Sequence, residues 1–300
     1  MGVSHSNVCF AFNPNGIVID GYSGKTAEVT VGGRTVKVSI YSDSQRVEFG
    51  GLLTVLFGDM SASKARSVST TLSVSVKDSE DNVVYEYSKT ILVVWGAPDY
   101  VEDGGSIYKG STRTVRWFTQ FPFTVSVITS TGVQDIAPTG TTMSVSGLGF
   151  VKGNAIGLPE SSSQTIILKK DDSSEGIYLR WVDRYGLMEY FLFSPGEFST
   201  SSKGGDETIR NESVGGVEIE RSLPRYRDSE RTVRCEAAFL SDEELAYVST
   251  IADSVLVEMY HSDGVWEPVS VEADISRNSR KGMHRVSVKI KRKTVNGQRL

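Results

Sequence analysis

The sequence predicts a mainly β protein built of two or three β-sandwich-like domains, with one short helix in the C-terminal domain. Three observations predict it. Apolar residues recur at every second position in run after run, the period at which one face of a strand is buried. Glycine-rich or Asp- and Asn-rich turns separate many of these runs at hairpin spacing. The length of 300 residues suits two or three units of about 100 residues each.

In the first region, residues 1–100, Ala27-Glu28-Val29-Thr30-Val31 alternates and Gly32-Gly33 follows. Val36-Lys37-Val38-Ser39-Ile40 alternates again, so the pair reads as a hairpin whose turn needs positive φ. Residues 72–76 and 83–87 flank a polar loop and make a second hairpin. The apolar run 91–95 predicts a strand buried on both faces. Residues 51–57 are apolar but too short to assign by period. Residues 99–112, rich in Asp, Gly and Ser, read as a linker.

The second region, residues 101–200, holds strands around 114–127, 142–150 and 165–168, the last ending in a charged turn, Lys169-Lys170-Asp171-Asp172. A hairpin follows, from residues 177–181 through Asp183-Arg184-Tyr185-Gly186 to 190–193, with six aromatics in 16 residues. Residues 201–216 read as a second linker or exposed loop.

The third region, residues 201–300, contains the helix. Ser241 and Glu244 form a capping box, and Leu245, Val248, Ile251 and Ala252 fall on one helical face. Strands at 254–260, 265–269 and 286–290 complete it.

Composition narrows the function. The chain is 39% hydrophobic with 32 basic and 37 acidic residues, which opposes both disorder and a dedicated nucleic-acid surface. From Arg277 onward nine Lys or Arg stand without an acid. They read as a solvated basic edge or as a seat for an acidic neighbouring subunit. Cys9 and Cys235 lie far apart and read as small buried hydrophobes, with a long-range disulfide left open. The polar start, residues 1–7, and the lack of a long apolar run predict a chain made in the cytoplasm without membrane insertion.

No phosphate loop, nucleophile elbow or metal-ligand spacing occurs. The expectation is therefore a non-enzyme without cofactor or metal. Asp183 and Glu189 flank the aromatic hairpin and could in principle serve a glycosidase. They read instead as a turn aspartate and a solvated strand glutamate. The binding candidates are aromatics and their arginine neighbours: Trp117, Phe118, Phe121, Tyr178, Arg180, Trp181, Arg184, Tyr185, Tyr190 and Trp266, with Phe123, Arg113 and Arg116 beside them. Such residues concentrate at subunit interfaces, and core packing is the competing role.

Two segments carry a resemblance. Leu179-Arg180-Trp181-Val182-Asp183-Arg184-Tyr185-Gly186, continuing to Tyr190 and Phe193, resembles an LRW-x-[ND]-x-x-G-x-x-x-Y-x-x-F stretch of structural proteins from bacteriophages and prophages of Bacteroidetes. The helix at 245–254, then Val255-Leu256-Val257, Asp263-Gly264-Val265-Trp266-Glu267-Pro268-Val269 and the strand 286–290 are similar to the same group. The opening Phe10-Ala11-Phe12-Asn13-Pro14-Asn15 is similar more loosely. The resemblance implies a virion tail or baseplate component of the distal-tail kind. Such a protein is β-rich, forms a symmetric ring with itself, contacts other tail proteins, and is assembled in the host cytoplasm. A carbohydrate-binding β-sandwich, with residues 178–193 as a platform for a surface glycan, is the alternative.

Overall fold

The computed structural model describes residues 2–5, 7–59, 65–97, 112–129, 131–150, 159–277 and 283–294. The expected linker at 99–112 lies almost wholly outside them; only Thr112 is described, and it opens a strand.

The N-terminal strands are β1 (Gly2–Ser4), β2 (Val8–Phe10), β3 (Gly16–Asp20), β4 (Thr26–Val31), β5 (Arg34–Ser39), β6 (Ser44–Glu48), β7 (Ser67–Lys77) and β8 (Val83–Val94). They form two sheets, ordered β1-β3-β6 and β2-β8-β7-β4-β5. Ile17 and Ile19 of the first sheet meet Ala27, Val29, Val31, Leu72, Val74 and Val76 of the second in one core. The alternation read in the sequence is thus the alternation of burial. Residues 50–56 form two short 3-10 turns.

Strand β8 shows why its end is apolar throughout. Ile91 and Val93 belong to the sandwich core. Leu92 and Val94 instead meet Ile128 and Leu187, which come from later regions. Each face of the strand covers a different neighbour, so no position remains for a polar side chain.

The middle strands are β9 (Thr112–Phe118), β10 (Val125–Thr129), β11 (Gly132–Ile136), β12 (Thr142–Phe150) and β13 (Pro159–Asp171). Strands β10 and β11 form a hairpin, and a second sheet has the order β12-β13-β9. Lys169, Lys170 and Asp171, expected in a turn, instead continue β13 and pair in parallel with Arg116, Trp117 and Phe118 of β9.

The last strands are β14 (Ile177–Val182), β15 (Met188–Val214), β16 (Val217–Leu240), β17 (Val257–Tyr260), β18 (Trp266–Ser276) and β19 (His284–Thr294). They close in the order β14-β15-β16-β19-β18-β17, a six-stranded barrel rather than a sandwich. At this size side chains fill the interior. Helix α1 (Asp242–Val248) has both capping-box bonds at Ser241 and Glu244. Leu245, Val248 and Ile251 are buried as expected. Ala252 is exposed, because the chain tightens to a 3-10 turn at residues 249–253 and its face rotates away.

Two further expectations are corrected. Residues 201–214 are not a linker but the second half of β15, and Gly215-Gly216 is its hairpin turn. The border expected at residue 200 therefore falls inside a strand. The middle sheets also share a hydrophobic core with the barrel: Val115, Phe118, Val127 and Leu168 pack in the same cluster as Trp181, Phe191 and Val288.

Candidate interaction surfaces

Most of the aromatics predicted as binding candidates come together on the two faces of the β14–β15 hairpin, while Tyr185 in its turn packs against the separate cluster of Phe10, Leu92 and Val94. The register sets Arg180 opposite Tyr190 and opposite Glu258, so Tyr178, Arg180 and Tyr190 share one face. Phe121 stacks on Tyr178 with centroids 4.4 Å apart, and Phe123 meets Tyr190 at 5.3 Å. Trp266 lies 5.8 Å from Tyr178 and 5.0 Å from Tyr260. The Tyr178 hydroxyl donates to the Pro122 carbonyl at 3.0 Å. On the opposite face Trp181 packs near Phe193 and donates its indole N–H to Thr250 Oγ1 at 2.9 Å. Phe118 packs edge-on to Phe191 at 5.3 Å.

This arrangement separates the candidates. Phe118, Tyr178, Trp181 and Tyr190 are at most 5% exposed, so they are core residues joining the middle sheets to the barrel. Desolvation raises the Tyr178 hydroxyl above its ordinary value. A sugar ring has no access to these side chains in the folded chain. Trp117, Phe121, Arg180, Arg184, Tyr185 and Trp266 are half-buried.

The arginines are committed within the chain. Arg180 donates to Glu258 at 2.6 Å while its guanidinium covers the Trp266 ring at 4.2 Å. Arg113 pairs with Glu189 at 2.6 Å. Arg116 pairs with Glu244, the same carboxylate that caps α1, and lies over Phe191. Arg184 lies 5.1 Å over its neighbour Tyr185. These contacts tie β9 and the helix to the barrel, and charge-assisted bonds of this kind are the stronger ones.

The carboxylates are also occupied. Asp183 closes the hairpin turn by accepting the Tyr185 and Leu187 N–H groups at 2.9 and 2.8 Å. Glu189 is buried rather than solvated, a correction, because Arg113 supplies the partner that makes burial tolerable. Burial and the nearby Glu189 push the Asp183 carboxyl up to about 7, against the pull of its backbone donors and of Arg113.

A second polar hub joins all three parts. Arg66, from the N-terminal unit, donates to both oxygens of Asp135 on β11 at 2.5 Å. It also donates to Ser126 Oγ on β10 and to the Gly186 carbonyl in the barrel turn, each at 3.2 Å. Ser126 donates to Asp135 and accepts the Met188 N–H. Gly186 has φ +76, and a Cβ there would sit 2.6 Å from the Trp95 carbonyl. Sandwich and barrel therefore meet backbone to backbone.

The basic C-terminal strand also finds partners inside the chain. Arg285 pairs with Glu236, Lys289 and Lys291 with Glu272, and Arg292 with Glu267. Both cysteines are buried thiols, Cys9 in the sandwich core and Cys235 in the barrel core, pushed up to about 12 by desolvation.

The feature that sequence reasoning missed is the far half of the β15–β16 hairpin. Strand β14 pairs with β15 only as far as Phe193, and β19 pairs with β16 only from Ser229. From Lys203↔Asp228 to Val214↔Val217 the two strands pair with each other alone among the described residues. This arm is about 40 Å long at the usual rise per residue. Phe198 at its base is 71% exposed and Val217 at its tip 62%. The signal was present: Val214-Gly215-Gly216-Val217 is the same turn pattern as the hairpin at Gly32-Gly33. The Ser, Gly and Asp content around it hid the alternation.

No protein-family model matches the chain, and no curated protein matches it. The fold and its polar contacts define a class: a β protein of sandwich, bridging sheets and barrel whose described charged groups largely hold its own parts together. No helix among the described residues is long and apolar enough to cross a membrane.

Proposed function

We propose that this chain is a non-enzymatic structural subunit that assembles with copies of itself into a symmetric ring. That is the role implied by its resemblance to tail and baseplate proteins of bacteriophages, and it makes the virion tail its location and other tail proteins its further partners. The observation that carries the reading is the arm at residues 203–228, whose two strands have no third strand among the described residues. An isolated two-stranded hairpin is marginal in water, and its unpaired backbone groups attract another chain. A protein that projects such a hairpin from a closed barrel gains most when a neighbour covers it. The occupied carboxylates Asp183 and Glu189 also favour a structural over a hydrolytic role.

Light scattering coupled to size exclusion tests the ring on the full-length protein, with particle images to show its symmetry. A single oligomer of fixed stoichiometry is the expected result. A monomer at every concentration refutes it. Labelling of purified virions with an antibody against the chain tests location, and signal away from the tail overturns the tail assignment.

A further inference from the structure

The register of the arm sorts its residues onto two faces of opposite net charge. One face carries the positions Val214, Val217, Ile219 and Leu223 together with Arg210, Arg221, Arg225 and Arg227, against the acids Asp206 and Glu212. The other carries Glu207, Glu218, Glu220 and Asp228 against the single base Lys203, with Ile209, Pro224 and Tyr226 among them. Arg210 and Arg221 are direct register partners. Like charges so placed are unfavourable unless something negative answers them.

The apolar and arginine face is also the outward continuation of a core face. On β16 the buried residues Val233, Cys235 and Ala237 hold alternate positions. The same parity continues through Arg227, Arg225, Leu223, Arg221 and Ile219 to Val217. The strand keeps a partly apolar face past the point where β19 ends, and Val217 on that face is 62% exposed.

We propose that the arm docks on a second copy of this chain, its arginine and apolar face lying on the acidic face of the neighbour's arm. Each copy then uses one face to give and the other to receive. A contact between two different faces is heterologous and repeats around a ring. The proposal rests on the ring reading and names the surfaces that build it. Complementary charge sets the order of the faces, and the apolar positions supply buried area.

The test is a charge exchange in the full chain. One variant carries Arg210→Glu, Arg221→Glu and Arg225→Glu. A second carries Glu218→Arg, Glu220→Arg and Asp228→Arg. Far-UV circular dichroism checks that each retains the fold, and sedimentation velocity reads assembly. Each variant alone has like charge on both faces and is expected to dissociate, with a dissociation constant raised about 100-fold or more. Mixed in equal amounts the two are expected to assemble again, because the acidic face of one meets the basic face of the other.

Failure is separable from failure of the ring. A wild-type oligomer that both variants also form overturns the arm contact and leaves the ring standing. A wild-type chain that is always monomeric overturns both. Dissociation of each variant without rescue on mixing also overturns the face pairing. Loss of fold in either variant is met by a third chain, in which Asn-Gly replaces residues 202–229. It keeps every pairing of the barrel from residue 230 onward, and it must be monomeric if the arm makes the contact.

Discussion

Residues 188–201 and residues 202–214 belong to one strand, and their surroundings could hardly differ more. The first stretch lies in a closed barrel, paired with β14 from Met188 to Phe193 and with β16 from Ser194 onward. Tyr190, Phe191 and Phe193 are buried there among rings from three parts of the chain. The second stretch has one partner strand and a mixed polar sequence. The second stretch pairs with β16 to its turn while the first carries a register shift between Pro195 and Phe198, so regular pairing alone does not decide which half is stable. What differs is a place in a closed barrel and an apolar face with something to cover it. The comparison teaches that the barrel half holds the fold while the arm half is available for the proposed assembly.

The comparison breaks first at Trp181. Trp181→Ala removes a fully buried indole and its bond to Thr250. A stability loss of about 3–5 kcal/mol is expected in denaturant titration. A loss below about 1 kcal/mol would show that this face of the hairpin is not the core.

Arg66 comes next. Its side chain is 4% exposed, while Asp135 is 40% exposed and can still be hydrated when left alone. Arg66→Ala is therefore expected to cost about 2–3 kcal/mol, less than breaking a fully buried pair. Thermal scans should also show sandwich and barrel separating into two transitions, since the lost side chain bridges them. A single unshifted transition contradicts the hub.

Asp183 supplies a smaller effect with a defined sign. Its folded carboxyl is raised to about 7, while in the unfolded chain it titrates near 3.9. The folded state therefore holds the proton more tightly. This contribution to stability is complete below the unfolded value and is lost as pH rises through about 7. Urea titrations between those values should show it, and Asp183→Asn should flatten the slope. An unchanged slope in the variant would assign the pH dependence to other groups.

The smallest effect belongs to the arm. Gly216 sits at φ +83 in the turn, where a Cβ strains the backbone. In the dilute monomer Gly216→Ala should nonetheless leave global stability within about 0.5 kcal/mol, because the arm opens without unfolding the barrel. A larger loss would mean that the arm folds together with the barrel and that the contrast between the two halves is false.

Legibility followed the range of the interactions. The capping box at Ser241 and Glu244, the turn at Gly32-Gly33 and the two-faced burial of residues 91–94 were all readable, since each depends on a few neighbouring residues. Glu189 was misread because its partner Arg113 lies 76 residues away. The arm was misread because Ser, Gly and Asp weaken strand propensity even where a partner strand imposes the pairing. The aromatics were legible as a set but not by role: Trp181 and Trp266 both stand on strands beside a valine, yet one is sealed in the core and the other is half-buried under Arg180.

By itself the amino-acid order determined the mainly β class, most of the turns, the helix start and the alternation that divides each strand into a buried and an exposed side. These are consequences of backbone sterics and period, which act over a few residues. Only the tertiary structure decided that six strands close into a barrel, that the middle sheets share its core, and that β15 and β16 run on beyond it. Those outcomes depend on which distant faces find one another, and no local pattern carries that information.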